Sequence, residues 1–488
     1  MNAAELPQWQ RFVHGPLAHW AAERGEATAF DDGTQQLSFA ALHALVQQRA
    51  RQLDARQAPA TVLVDDANGP VQMLADFLAV IASGRCAAVA DSDWPAPVQA
   101  HVQDLMADFI AKSASIPYPE SDECSPFYIG FTSGSTGTPK GYRRHHRSWT
   151  ESFRVCLDTF GAAAATRVLA PGRMSHSLFL FGALLGIWSG AGAVLQAQFS
   201  APRCLAALAA GAAPCLVAVP SQLLVMLQLA ERRRLAPMPA VRLILISGAR
   251  WMRQHTPALQ ALFPQARIVE FYGASEASFI AWMDARSDAP AQQVGRPFSN
   301  VRLQIRDGVA PSARVLGPGE VGSIFIHSPM LFMDYVGGSH DATAAVRLDE
   351  ADGEWLSVRD MGSLHDDGML TLVGREKRML VTQGKNLFPE EVEAVLCEHP
   401  GIAAASVQGL QDALRGQLVA AVVQPVPGAA PPSAAELQHW CRERLEAFKT
   451  PRRFFVAQPL PQTASGKPDH AAIAQWLHNP ESCPSPLP

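Results

Sequence analysis

The chain has 488 residues, enough for about three folding units of ordinary size or for one large and one small. Hydrophobic residues make up 48% and charged residues 17%, with 35 Gly and 37 Pro, which excludes a disordered, collagen-like or coiled-coil chain. Forty Lys and Arg against 45 Asp and Glu leave a net charge of −5, so the chain lacks the basic footprint of a nucleic-acid or anionic-membrane binder and reads as a small-molecule enzyme.

In chain order, the N-terminal MNAAELPQWQRF has no basic start, apolar run or cleavage site of a signal peptide, which predicts a cytoplasmic location. The spacing of apolar residues predicts a helix over 38–53, strands over 60–66 and 87–91, a strand over 215–219, a helix over 221–235 and a strand over 241–247. Apolar strands alternating with amphipathic helices imply parallel α/β layers covered on both faces. The run 178–195 approaches membrane-span length, but its four glycines and lack of basic flanks predict a buried helix rather than membrane insertion. After about residue 320, short strand pieces between turns predict antiparallel sheet. From Phe388 a second unit reads helix, strand, strand, helix, strand, with the boundary near Lys377. The Pro/Gly/Ala stretch 425–434 is then a loop within that unit. The eight cysteines follow no metal or disulfide spacing and are expected to be reduced packing thiols.

The most informative string is FTSGSTGTPKG, 131–141. Glycines interleaved with hydroxyl side chains and closed by a lysine can wrap a polyphosphate with backbone N–H groups, hydroxyls and one cation. Thr138 and Pro139 separate Gly137 from Lys140, so this is not a Walker A loop and a P-loop kinase or GTPase is disfavoured.

With this loop, the later strings FYGASE (271–276), VRDMG (358–362), GREKRMLVTQGKNLFPEEVE (374–393) and PQTASGK (461–467) stand in an order that resembles the adenylate-forming enzymes. These include acyl- and aryl-CoA synthetases, nonribosomal peptide synthetase adenylation domains and luciferases. The resemblance spans nearly the whole chain. It implies a large multi-layer α/β N-terminal domain, 1–376, with the ATP and carboxylate sites. A small mobile α+β lid, 377–488, would carry the catalytic lysine. The implied reaction joins a carboxylate to ATP as an acyl-adenylate and then transfers the acyl group to a thiol. The implied cofactors are ATP and Mg²⁺, with CoA or the phosphopantetheine of a separate carrier protein as acceptor.

Residue by residue, the resemblance assigns Thr132, Ser133, Gly134, Ser135, Thr136, Gly137 and Lys140 to the phosphates. Tyr272 and Gly273 with Ser247, Gly248 and Ala249 would line the nucleotide pocket, Gly248 also lining the acyl pocket, and Ser275 would contact phosphate where the family more often has Thr. Glu276 would bind Mg²⁺, a hard cation that takes a carboxylate oxygen. Asp360 would hold the ribose, although Val358 and Arg359 replace the family's usual preceding residues, and Arg375 would meet ribose or phosphate. His176 would lie beside the carboxylate, with Phe181, Gly182, Gly273 and Ala274 around the acyl group. Lys377 occupies the hinge position, Gly384 the thiol tunnel, and Lys467 the position that stabilises charge on the α-phosphate. After Lys467 the family's basic residue is replaced by Pro468, Asp469 and His470.

Two features lie outside this scheme. Arg250 is read as pointing to solvent, with recognition of a polar acyl group as the alternative. The basic run RRHHR, 143–147, is read as solvated surface, with contact to CoA phosphates or an acidic carrier as the alternative. The expected partners are a small carboxylic acid and a thiol supplied in trans, with no nucleic acid. A compact aryl or a short- or medium-chain acid is favoured over a long one. The competing functional readings are a nucleotide-binding pseudo-enzyme and an adenylate-dependent oxidase.

Overall fold

The computed structural model describes residues 7–112, 122–133, 139–285, 288, 290, 292–337, 345–382, 385–412, 416–428, 430–462, 468–479 and 485–487. A large mixed α/β unit is followed by a small C-terminal unit with its own sheet.

The large unit is built on two sheets. In the longer one, strands Thr28–Asp31, Ala193–Leu195, Val168–Ala170, Cys215–Ala218, Leu243–Ile246 and Arg267–Ala274 run parallel. Cys215–Ala218 and Leu243–Ile246 are buried at every position, as expected of strands covered on both faces. The covering helices include Phe39–Ala55, whose first turn is capped by the Ser38 hydroxyl, and Pro220–Arg233. The apolar run 178–195 forms the buried helix Ser177–Trp188, then a turn through Gly190 and Gly192, both at positive φ, and then strand Ala193–Leu195. No helix among the described residues is long and apolar enough to cross a membrane.

Antiparallel pairing begins earlier than the sequence texture indicates. Strand Arg267–Ala274 already turns back onto Ser278–Asp284, and the ladder continues through Gln293–Pro297, Leu370–Arg375, Asp360–Leu364 and Gly322–His327. The hairpin is half polar and carries functional residues, so its strand pattern is masked in the sequence.

The second sheet places Thr61–Val64, Cys86–Val89 and Pro126–Ser133 in parallel, with Pro139–His145 antiparallel to the last. The strands on either side of residues 134–138 therefore pair with each other. The small unit begins after the short 3₁₀ turn Glu376–Arg378. Its strands Ile402–Asp412, Gly416–Pro425 and Arg453–Val456 pack against helices Pro389–Cys397 and Ala434–Arg442 around a core including Leu387, Val392, Leu437 and Cys441. Seven described cysteines are unpaired, five of them buried, and burial pushes thiols such as Cys86 and Cys215 up to about 12.

Candidate active site

The site is organised by strand ends. Strand Arg267–Ala274 carries Tyr272, Gly273 and Ala274 to its C-terminal end, where the chain turns through Ser275 and Glu276 into Ser278–Asp284. A Cβ on Gly273 would stand 2.2 Å from the Ser278 carbonyl oxygen, so the turn needs glycine there. Next to it, strand Leu243–Ile246 ends in Ser247, whose hydroxyl donates to the Phe271 carbonyl at 3.1 Å. Gly248 follows at φ +87°, with Ala249 exposed.

Eighty-eight residues after Tyr272, Asp360 opens strand Asp360–Leu364 and pairs in the ladder with Arg375. The Asp360 side chain is 4% exposed and accepts the Tyr272 hydroxyl at 2.5 Å and Arg375 Nε at 3.1 Å. Asp360 raises the Arg375 pKa, while burial and then the neighbouring carboxylate raise that of Tyr272. A phenol, a buried carboxylate and a guanidinium thus converge where the large unit hands over to Lys377 and the small one.

Glu276 is held from two sides. Its carbonyl accepts from the Phe332 N–H at 2.7 Å, and one carboxylate oxygen accepts the Tyr335 hydroxyl at 2.9 Å. The carboxylate remains partly exposed, a single hard-oxygen donor of the kind that suits Mg²⁺ completed by water and phosphate oxygens. Among the described residues, no three His, Cys, Asp or Glu side chains gather as a metal cluster, and binding of that kind needs none.

The turn is fixed from below by Arg144. This side chain is 1% exposed and donates to the Ser275 carbonyl at 2.7 Å, the Ser278 hydroxyl at 2.5 Å, the Met330 carbonyl at 2.7 Å and the Ser148 hydroxyl at 3.1 Å. Burial lowers its pKa to about 10, which leaves it charged at neutral pH. The reading of RRHHR as solvated surface is therefore corrected. Arg143 forms a two-point pair with Asp334, Arg144 and His146 are buried, and Arg147 lies by Glu123. Strand alternation is the physical reason, since Tyr142 and Arg144 point to the same inner face.

Other predicted residues fall as follows. Thr132 pairs with Lys140 and Ser133 with Pro139 across the hairpin, while Gly134, Ser135, Thr136 and Gly137 lie outside the described residues. Gly384 and Lys467 lie outside them as well. His176 is the N-cap residue of helix Ser177–Trp188, partly buried beside Phe179. Phe181 packs into the aromatic core against Phe153 and Phe279, at centroid distances of 5.0 and 4.9 Å, while a Cβ on Gly182 would meet Val217. Lys377 occupies the 3₁₀ turn between the units. Arg250 is not solvent-directed: burial lowers its pKa, and Glu270 of the large unit and Glu393 of the small unit both lie within electrostatic reach. Charges of both units thus face Arg250, a long-range pairing that no local pattern could announce.

Arg144, Tyr335 and the Tyr128–Tyr142 hydroxyl pair at 3.3 Å are the site-supporting residues that sequence reasoning missed. For Arg144 the alternation within 139–145 was an available signal. Tyr335 joins Glu276 across 59 positions and leaves no local one.

Two strand-end carboxylates, Asp360 and Glu276, thus stand with Tyr272 and Tyr335 close to where the large α/β unit hands over to the small one. The profile of the AMP-binding enzyme family matches residues 102–336, and that of the AMP-binding enzyme C-terminal domain matches 391–467. The uncharacterized acyl-CoA ligase YhfT of Bacillus subtilis is 37% identical over 377 residues, covering 77% of this chain and 74% of its own. Pyochelin synthase PchD of Pseudomonas aeruginosa is 30% identical over 402 residues, covering 80% and 69%. The chain belongs to the AMP-binding enzyme family. Its fold is that of O-succinylbenzoate coenzyme A synthetase of Bacillus subtilis bound to AMP, with TM-score 0.79, 23% identity and coverage of 96% and 98%. The ATP-bound MatB of Rhodopseudomonas palustris is similar, with TM-score 0.80, 20% identity and coverage of 96% and 99%.

Proposed function

We propose that this enzyme activates a small carboxylic acid with ATP and Mg²⁺ and passes the acyl group to CoA or to the phosphopantetheine of a separate carrier protein. The observation that carries this reading is the buried Asp360 carboxylate held between Tyr272 and Arg375 at the handover between the units.

In the first half-reaction a substrate carboxylate oxygen attacks the α-phosphorus of ATP, and the bond to the β-phosphate breaks to release pyrophosphate. Two anions meet, so positioning and charge neutralisation are the main demands on the protein. Tyr272, Ser247, Gly248 and Ala249 would line the adenine pocket, Asp360 would accept the ribose hydroxyls, and Arg375 would shield the accumulating charge. Residues Thr132 to Gly137 with Lys140 cradle the phosphates. Glu276 would hold Mg²⁺, which would supply charge neutralisation when bound. Lys467 delivers a point charge to the α-phosphate and the attacking carboxylate.

In the second half-reaction a thiolate attacks the acyl carbonyl, the bond to the phosphate oxygen breaks, and AMP leaves. Rotation about Lys377 withdraws Lys467 and brings Gly384 to the thiol path, with His176 beside the reacting carboxyl. The boundary between a lid of 377–488 and a body of 1–376 is part of the same proposal. The names of two relatives, an acyl-CoA ligase and a 2-succinylbenzoate–CoA ligase, favour CoA as acceptor and a compact or aryl acid. The pyochelin synthase keeps the carrier reading in play.

The test is product analysis with ATP, Mg²⁺ and benzoate, hexanoate, decanoate or palmitate, with CoA or a phosphopantetheinylated carrier as acceptor. AMP and a thioester from one acid class are expected; ATP binding without AMP from any acid and acceptor overturns the reading.

A further inference from the structure

The residues on either side of 463–467 are described. Gln462 and Pro468 form an antiparallel bridge, and the Asp469 N–H donates to the Pro461 carbonyl at 2.8 Å. Asp469 then caps helix His470–His478, accepting from the Ala471 and Ala472 N–H groups. The two flanks are therefore paired with each other, and the second continues into a helix.

The second flank is tied sideways by His470. Its Nδ1 lies 2.9 Å from the Ser406 hydroxyl and 3.8 Å from the Glu393 carboxylate, and its carbonyl accepts from the Gln408 amide at 3.2 Å. Glu393 in turn accepts from the Val407 N–H at 2.7 Å and pairs with Arg378 at 2.5 Å. Arg378 follows Lys377 directly and also reaches Glu390 at 2.9 Å. Strand Ile402–Asp412 thus stands between the two: His470 meets it at Ser406 and Gln408, and the Arg378–Glu393 pair meets it at Val407.

We propose that His470 is a positioning residue, tying the chain just after Lys467 to strand Ile402–Asp412 at Ser406 and Gln408 and so fixing where Lys467 is presented. The inference rests on the proposed role of Lys467. Burial and Arg378, with Arg375 adding to them and Glu393 and Asp469 opposing, put the His470 pKa at about 4. At neutral pH the ring is uncharged and works as a hydrogen-bond partner, a role that an Asn amide can partly fill and Ala cannot.

The variants His470→Ala, Ser406→Ala and His470→Asn would be compared with Lys467→Ala in carboxylate-dependent ATP–pyrophosphate exchange. The probe is whichever of benzoate, hexanoate, decanoate and palmitate gives the largest wild-type rate. The thioester step would be followed separately from the synthetic acyl-adenylate of the same acid. Misplacing a catalytic charge by about 1 Å can cost on the order of 100-fold. His470→Ala is expected to lower the exchange kcat by about 10- to 100-fold with little change in the KM for ATP. Ser406→Ala should follow it in part, His470→Asn should recover most of the rate, and the thioester step should be unchanged in all three. Unchanged exchange in His470→Ala, or equal loss in both half-reactions, overturns the proposal. Exchange that survives Lys467→Ala would instead overturn the underlying reading.

Discussion

Replacing Arg144 by Met removes a buried cation that holds three separate segments together. It donates to the Ser275 carbonyl and Ser278 hydroxyl on the turn, to the Met330 carbonyl and to the Ser148 hydroxyl, at distances from 2.5 to 3.1 Å. Hydrogen bonds from a charged donor contribute about 1.5–3 kcal/mol each, so four amount to about 6–12 kcal/mol gross. Against this stands the desolvation of a guanidinium, several kcal/mol, which Met does not incur. The net expectation is a destabilisation of about 3–5 kcal/mol, read as a lowered urea midpoint in circular dichroism at constant slope. Because the loosened turn carries Glu276, carboxylate-dependent ATP–pyrophosphate exchange should also fall, even at temperatures where the variant is folded. Arg144→Lys keeps the charge but cannot span the same acceptors and should recover less than half of the stability. A Met variant within about 1 kcal/mol of the parent would refute the claim that this network holds the turn.

Three further outcomes are expected. Tyr335→Phe removes the hydroxyl on the Glu276 carboxylate and should raise the Mg²⁺ concentration for half-maximal exchange by about 10-fold without lowering the melting temperature; an unchanged requirement contradicts the placement of Mg²⁺ on Glu276. Asp360→Asn keeps the shape but loses the charge and one acceptor, and calorimetry should show ATP binding weakened by about 10- to 100-fold, whereas equal affinity removes Asp360 from the ribose site. His14, His145 and His470 have pKa values lowered to about 4, chiefly by burial, so the unfolded chain takes up protons below about 6.5 while the folded one resists. Their contribution to stability is present above pH 6.5 and is lost as pH falls toward 4, and a melting temperature flat over that window would contradict their burial as neutral rings.

Much of the fold was legible because buried parallel strands read as unbroken apolar runs and their covering helices as amphipathic repeats. Cys215–Ala218 and Leu243–Ile246 were found in this way, as was the helix over Phe39–Ala55. The apolar run 178–195 was correctly buried but holds a glycine turn and a strand, because hydropathy alone does not mark where a helix stops. Motif order gave Tyr272, Glu276, Asp360 and Arg375 as candidates. It could not give the contact between Tyr272 and Asp360, which depends on the sheet placing distant strand ends side by side. Arg144 and Arg250 were misread for one reason: a charged residue is usually solvated, and only tertiary structure reveals which ones are covered. Phe181 shows the converse, an aromatic near a site motif that packs into the core.

The central claim is that this chain forms an acyl-adenylate with the help of Lys467. Carboxylate-dependent exchange of labelled pyrophosphate into ATP, measured across benzoate, hexanoate, decanoate and palmitate for the wild type and Lys467→Ala, tests it most directly. Exchange with one class of acid and a loss of at least about 100-fold in the variant are expected. Exchange that persists undiminished in Lys467→Ala, or ATP binding with no exchange for any acid, would contradict it.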